Sequence, residues 1–395
     1  MARAPRTAWR TLLAAAGDEW RTTPLYRMQL RGADPDRIGQ WGVDYRVGDV
    51  GRGQDIANGL WRIASERLAG VWALPWAAPA PTPHFQARLH SFGWLGDLAA
   101  APNAGPRIGA LVHAWCAEFG VWHPQAWGPE LTAQRLYAQQ ARHLLMAAGD
   151  IGDPLARIKA GAALTLVFCA GAPEAERFLD AGLELIEEAC AAQFLPDGAH
   201  QSRAPEALIE ALADFLTVRE ALSRKQIETP RLMRDLIAKM APMLRYLMMG
   251  DGGLACFHGG GPGDPRTIAN LLAQTATESR VFRIAPHSGY HRLAAGDTLI
   301  LFDGAAAPPT AFGERAHAGC LAFEMSCGPE RLIVNVGSQR ELLPDWRAAG
   351  RATNAHSTLI VDDALSAPCE ASRRGRVSMA RPIGPTGVSA KRTDD

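Results

Sequence analysis

Near residue 280 the spacing of apolar side chains changes period, and that change limits the folds open to the chain. From about 105 to 280 apolar residues recur three and four apart, the spacing of a helix with one buried face. The pattern predicts helices over 108–119, 131–148, 154–169, 174–191, 205–223 and 230–249. In the second of these Leu136, His143, Leu144 and Ala147 share a side, and Gln140 interrupts the stripe. Pro154, Pro205 and Pro230 open three of them, at a position whose N–H would have no helical partner anyway. The loops between are short and hold Gly, Asp and Pro. Helices of similar length joined this way form antiparallel hairpins, stacked as a bundle or curled into a toroid. No tight repeat of a solenoid class is present.

After 280 the pattern is that of strands, at 280–285, 289–294, 298–303, 319–327, 331–337 and 357–362, separated by Gly, Pro, Asp or Asn turns. With no helices between them to serve as crossovers, the sheet is expected to be antiparallel. The fold class is therefore α+β, with a Trp-rich segment over 1–104, a helical domain over 105–280 and a β domain over 281–395. That β domain is short and stops in mid-pattern, as a truncated one would. Its open sheet edges call for cover, and a second copy of the chain in a homodimer would supply it.

The first hundred residues carry Trp9, Trp20, Trp41, Trp61, Trp72, Trp76 and Trp94, seven of the eleven tryptophans. Packing of an irregular N-terminal layer accounts for them. The rival reading is that one or two line a cleft, where an aromatic face suits the C–H face of a sugar ring. Leu74 to Pro83 is Pro-rich and reads as a loop.

Charge excludes some functions. The 41 basic and 41 acidic residues cancel, against the basic excess of a dedicated nucleic-acid binder. A local basic groove for an acidic ligand remains open, because fields are local. The seven cysteines fall in no CxxC pair, which fits neither a zinc ribbon nor a disulfide framework, and several lie in apolar runs as buried thiols. Asp18, Glu19 and Arg21 interrupt the short apolar patch near the N-terminus, so it does not read as a secretory signal. No run reaches the ~18–20 apolar residues of a membrane span. A cytoplasmic protein is the expectation.

Polar residues gather in four places. The loop 195–205 makes a tight turn at Asp197-Gly198 and presents His200 and Arg203 beside a helix start, a position that favours an anion; a solvated capping loop is the plainer reading. Gly250-Asp251-Gly252-Gly253 and His258 to Asp264 form a glycine-rich boundary with no Lys-Ser or Lys-Thr after it. It is therefore no phosphate loop, and reads as a flexible loop or a hinge between domains. Period two sets His287 and His291 on one strand face and Tyr290 on the other; ordinary sheet-surface histidines are the plainer reading and metal binding the rival. His317, Asn335 and His356 stand at strand ends. Two imidazoles and an amide oxygen are a partial zinc set, though zinc prefers a carboxylate or thiolate as third ligand; a polar cluster satisfying strand ends is the alternative. His84, His90, His113, His123 and His143 sit among apolar neighbours and read as structural. Neither GxSxG nor HExxH occurs.

In this order the stretches resemble the heparinase II/III-like polysaccharide lyases. The matching pieces are Asp197-Gly198-Ala199-His200 with Ser202-Arg203 and Pro205, then Gly250-Asp251-Gly252-Gly253, then Ala316-His317-Ala318-Gly319 with Phe323-Glu324. Asn335-Val336-Gly337 and the run Arg351 to Thr358 complete them, so the resemblance covers about 190–365. It implies an incomplete (α/α) helical toroid followed by an antiparallel β-sandwich, and β-elimination on a uronic-acid glycan. Elimination needs the C6 carboxylate neutralised, a base for the C5 proton and an acid for O4. By position, His200 would face the carboxylate or the C5 proton, with Arg203 as anion partner. His317, Asn335 and His356 would be the metal-binding positions, which hold a structural zinc in some members. Departures are visible: Arg315 stands where the family often has the first histidine of a His-x-His pair, and Asn335 replaces a carboxylate. Phe257 occupies the neighbourhood of the expected tyrosine, leaving Tyr246, earlier and inside a helix, as the nearby phenol. The family also makes a periplasmic location the alternative to the cytoplasm.

The leading expectation is therefore a lyase-like protein acting on an acidic polysaccharide or oligosaccharide, with His200, Arg203, Tyr246, Arg315 and His317 in the chemistry. A catalytically degenerate glycan-binding protein is the first rival. An inverting glycosidase on a toroid is the second; it would need two carboxylates about 6.5–9.5 Å apart, drawn from residues such as Glu206, Glu210 and Asp251.

Overall fold

A computed structural model of the chain describes residues 17, 19–31, 42–63, 66–71, 74–134, 138–172, 175–275, 284–338, 344–360, 376–382 and 388–393. The chain divides into two compact units, residues 1–41 with 48–185, and residues 42–47 with 186–395.

The first unit contains α1 (Pro24–Gln29), α2 (Val50–Ala57), a small hairpin of β1 (Trp61–Ile63) and β2 (Glu66–Leu68), then α3 (Pro83–His90), α4 (Leu95–Ala100), α5 (Gly105–Phe119), α6 (Pro129–Gln134), α7 (Ala138–Ala147) and α8 (Pro154–Cys169). Its helices start where the sequence marks them. Thr23, Thr82 and Asp153 each accept a backbone N–H of the first turn, and a proline follows each cap. Tryptophans build its core: Trp61, Trp76, Trp94, Trp115 and Trp127 are at most 7% exposed. Trp61 meets Trp94 edge to face at 5.0 Å, and Trp94 stacks on Phe92 at 5.1 Å. Four of these five indole N–H groups find acceptors, among them Trp94 in the Leu89 carbonyl and Trp127 in that of Phe119, while that of Trp76 is buried without a partner. The packing reading of these tryptophans therefore holds for Trp61, Trp76 and Trp94. Trp20 is 44% exposed, and Trp9, Trp41 and Trp72 lie outside the described residues.

The second unit begins with the end of α9 (Ala175–Gln193), followed by α10 (Pro205–Arg224), α11 (Arg231–Tyr246) and α12 (Pro265–Ala273). α10 is buried on every side, with Leu208, Leu212, Phe215, Leu216 and Leu222 at 0–1% exposure. Each such side chain contributes about 1.5–3 kcal/mol. The extended segment 42–47 lies along α10: Thr217 donates to the Val43 carbonyl, and Arg46 pairs with Asp214 at 2.5 Å. A Cβ on Gly42 would stand 2.6 Å from the Thr217 carbonyl oxygen, so only glycine permits this approach.

Beyond α12 come β3 (Ile284–Ala285), β4 (Tyr290–Ala295), β5 (Thr298–Asp303), β6 (Phe323–Cys327) and β7 (Glu330–Ile333). They form one antiparallel sheet in that spatial order, each strand beside its sequence neighbour. Tyr290 opposes Asp303, Ile300 opposes Met325, and a register shift lies between Met325 and Ser326. α13 (Pro344–Arg351) follows, then a separate hairpin of β8 (Arg376–Pro382) and β9 (Val388–Thr393).

The expected class, helices and then an antiparallel sheet, is the one observed. Three local expectations change. Residues 357–360 are not a strand, and 361–362 lie outside the described residues. α12 and α13 are helices where none was expected. The glycine-rich boundary is a fixed, buried loop within the second unit rather than a hinge. Leu254 N–H bonds the Pro262 carbonyl, Gly261 N–H bonds Glu206, Gly250 N–H bonds Ser326, and Gly259, Gly260 and Gly261 are buried. Among the described residues no helix is long and apolar enough to cross a membrane. Cys169, Cys190, Cys256 and Cys320 are buried free thiols, and Cys327 is exposed.

Candidate functional site

The second unit collects buried polar side chains from several separate elements. The turn between α9 and α10 supplies His200, Ser202 and Arg203, and the glycine-rich loop supplies His258. Asp303 ends β5, Glu324 lies on β6, and Asn335 follows β7. His317 lies between a 3-10 turn at Thr310–Arg315 and β6, and His356 follows a 3-10 turn at Thr353–Ala355. All of these side chains except His356 are buried.

Asp303 is the centre. β5 alternates inward and outward, with Leu299, Leu301 and Asp303 in the inward phase, so an acid stands where an aliphatic residue would be expected. One carboxylate oxygen takes the Arg203 guanidinium, and the other lies 2.8 Å from Nε2 of His258. Burial pushes the Asp303 carboxyl up, but Arg203 and His258 outweigh it and leave it below the usual carboxylate value. Arg203 has no nitrogen to spare. Its Nε donates to the Ser288 carbonyl and its other terminal nitrogen to that of Ala306, while its charge lies 5.2 Å from the centre of the Tyr290 ring. The anion partner of Arg203 is thus an internal carboxylate.

His200 is held at both nitrogens. The Ser202 backbone N–H donates to Nδ1 at 3.1 Å, which makes Nδ1 the acceptor and leaves Nε2–H to donate to Gln193 at 3.2 Å. Phe194 and Phe312 meet its ring edge to face at 5.3 and 5.5 Å. Tyr246, the last residue of α11, is buried and donates its hydroxyl to the Tyr290 carbonyl at 2.7 Å. Tyr290 donates its own to the Arg203 carbonyl and stacks on Phe257 at 5.3 Å. Burial raises both phenols above their usual value.

His317 and His356 come together, ring centres 5.1 Å apart. Burial, and then the nearby His356 and His258, lower His317 to about 3. Burial and then His258 lower His356 to about 4, against a backbone hydrogen bond with Gly350. Both are therefore neutral imidazoles. Nδ1 of His317 and Nε2 of His356 are buried, without a hydrogen-bond partner.

Asn335 belongs to another cluster. Its Nδ2 donates to Glu324, and its Oδ1 accepts from the Ser357 N–H and hydroxyl. Glu324 also accepts the N–H groups of Asn335 and Cys256 and a contact from Arg331, which grips Asp251 through two nitrogens. Burial raises Glu324 in spite of these donors. As they stand, His317, Asn335 and His356 do not fit a zinc: the amide oxygen is already occupied, and two imidazoles fall short of the four ligands a structural zinc takes. Among the described residues no group of three His, Cys, Asp or Glu side chains is arranged to hold a metal. Arg315 ends the 3-10 turn, and its side chain lies outside what the structure describes.

Of the glycosidase candidates, Glu206 and Asp251 are engaged in bonds within the protein. Glu206 accepts the Gly261 N–H; Asp251 accepts from Arg331, and that hydrogen bond holds its carboxyl below the ordinary value, the wrong direction for a general acid. Sequence reasoning missed His258, Asp303 and Tyr290 as site residues. The one sequence signal for Asp303 was an acid in the inward phase of an apolar strand.

Comparison with known proteins follows the same lines. A family model described as heparinase II/III-like, C-terminal, matches residues 277–393. FtsZ-localized protein C of Caulobacter vibrioides is 31% identical over 98% of this chain and 72% of its own length. The crystal structure of heparinase III superposes over 96% of this chain and 72% of its own, with TM-score 0.64 and 10% identity. A mutant of heparan sulfate lyase HepC from Pedobacter heparinus does so over 86% of this chain, with TM-score 0.53 and 15% identity; the chain spans 65% of that protein, just under two thirds. The fold is shared with both.

Proposed function

This chain belongs to the heparinase II/III-like family, and from that premise we propose that it acts on a uronic-acid-containing acidic glycan by β-elimination. The observation that supports the reading is the pair His317, buried, and His356, half-buried, two neutral imidazoles each with a buried ring nitrogen left without a partner. An unpaired buried polar atom costs about 1–3 kcal/mol, so such a pair is expected where a ligand completes the bonding. Sugar hydroxyls and a carboxylate are partners of the right kind. On this reading His317 meets substrate and Arg315, two residues earlier, supplies positive charge to the C6 carboxylate. Arg203 acts at one remove by fixing Asp303, while His200 and Tyr246 hold the surrounding backbone through the bonds already described.

Elimination leaves an unsaturated uronate that absorbs in the ultraviolet. Mixing the protein with heparan sulfate, chondroitin and alginate is expected to give a rise in absorbance that His317→Ala abolishes.

A second reading, a glycan-binding protein without turnover, is favoured by one feature: the hydroxyls of Tyr246 and Tyr290 both donate to backbone carbonyls and are raised by burial. It predicts retained glycan affinity with no absorbance change. The likeness to an FtsZ-localized protein adds a proposal about place, that the chain works where FtsZ assembles. Imaging a fluorescent fusion beside labelled FtsZ tests it, and a uniform distribution would sink it.

A further inference from the structure

Elimination needs an atom that can take a proton, and the tyrosines and His200 have theirs engaged: two hydroxyls donate to carbonyls, and both nitrogens of His200 bond neighbours. His258, like His317 and His356, has a buried ring nitrogen without a partner, but here a carboxylate fixes which tautomer is present. An ionised carboxylate can only accept, so the 2.8 Å contact with Asp303 puts the hydrogen on Nε2 and leaves the Nδ1 lone pair bare. Nδ1 is buried and has no hydrogen-bond partner.

Three further features mark the arrangement as built. Arg203 and His258 meet on the one carboxylate, and both adopt left-handed backbone conformations, φ +56° and +47°. Each costs about 1–2 kcal/mol outside glycine, and such strain gathers at working sites. The ion pair of Arg203 and Asp303 would be complete without an imidazole, yet one is added with a nitrogen left over. The residues after His258 are Gly259, Gly260 and Gly261, so the chain runs on from the imidazole without side chains.

We propose that His258, oriented by Asp303, is the proton-transfer residue of the elimination; this rests on the reading of the chain as a uronate lyase. The C5–H bond breaks with its proton passing to Nδ1, and its electron pair forms the C4=C5 double bond. The C4–O4 bond breaks with its pair on O4, and O4 takes the proton back from Nδ1. The imidazolium that exists between these transfers lies against the Asp303 carboxylate, which stabilises it without being protonated. Nothing else is consumed.

His258→Gln tests this in the full chain. The glutamine amide can still donate to Asp303 but offers no basic nitrogen. The expected result is an unchanged melting temperature, retained binding of heparan sulfate, chondroitin or alginate, and an elimination rate reduced at least about 100-fold, the usual effect of losing a general base. A structural role alone would lower the melting temperature and spare the rate. A variant as fast as the parent overturns the proposal and leaves the lyase reading standing, whereas no absorbance rise from the parent on any of the three glycans overturns both. Should the variant fail to fold, long-range proton–nitrogen spectra of histidine-labelled parent protein decide the matter. Hydrogen on Nε2 with a bare Nδ1 is expected, and the opposite tautomer sinks the idea.

Discussion

Arg203 and Asp303, one hundred residues apart in sequence, form an ion pair in which the side chains are 5% and 1% exposed. Removing one member leaves the other as a charge without its partner in the interior. Asp303→Asn is expected to lower unfolding free energy by about 3–5 kcal/mol, measured by urea titration. Arg203→Met should cost a similar amount. The double variant Arg203→Met with Asp303→Leu should recover much of the loss, because burying charges is itself costly. A double variant with the two losses simply added would disprove the coupling.

The protonation of His258 carries a second expectation. Burial lowers it below the ordinary histidine value; Asp303 pulls it up and Arg203 pushes it down. Between the folded value and about 6.5, the unfolded chain binds one more proton at this residue than the folded chain does. Stability from this source is whole above that window and is lost as pH falls through it, by up to about 1.4 kcal/mol per pH unit. Melting curves at several pH values from 7.5 downward should show the parent losing stability more steeply than His258→Gln. Parallel curves would refute the assignment.

Gly250 gives a third. A Cβ there would overlap the Gly328 carbonyl oxygen in the turn between β6 and β7. A shift of either backbone would also strain the Gly250 N–H bond to the Ser326 hydroxyl. Gly250→Ala is expected to cost at least about 1–3 kcal/mol, as overpacking does, and calorimetry reads it as a lower melting temperature. An unchanged transition would show that the loop can shift.

Metal removal supplies a fourth. With the Asn335 amide oxygen taken by Ser357, a chelator is expected to leave the melting temperature within about 1 °C, because a ligand that is not bound cannot stabilise. Elemental analysis showing one zinc per chain, lost together with stability on chelation, would overturn this.

Much of the fold is written locally. The helix Pro154–Cys169 and the strand Thr298–Asp303 were predicted to the residue, the first because Asp153 and Pro154 mark its start, the second because a short apolar run is bounded by turn residues at Gly296-Asp297 and Asp303-Gly304. α12 carries the same signal in Asp264 and Pro265, but it was obscured by the glycines before it. The strand expected from Ser357 is absent: the Ser357 N–H goes to the Asn335 side chain instead of a neighbouring strand. At the site, His200, Arg203, His317, Asn335 and His356 were all legible as polar residues at element ends. Their partners were not. Asp303 joins Arg203 across one hundred residues and His258 across forty-five, and periodicity holds no information about contacts at that range.

The order of strands in the sheet has a kinetic consequence. From β3 to β7 every strand pairs with its neighbour in sequence. β3–β4, β4–β5 and β6–β7 are joined by short turns and can close as hairpins, an event of about 1–10 μs, and β5 to β6 closes a loop of only nineteen residues. The bonds that tie this sheet to residues before it, Arg203 to Asp303 and Cys256 to Glu324, close loops of 100 and 68 residues respectively and form at greater entropic expense. The sheet can therefore assemble as a chain of hairpins first, with water still on Asp303 and Glu324. Both carboxylates would be stripped of that water only when the earlier part of the unit docks. Stopped-flow refolding of Asp303→Asn should then leave the early phase untouched and change only the last one.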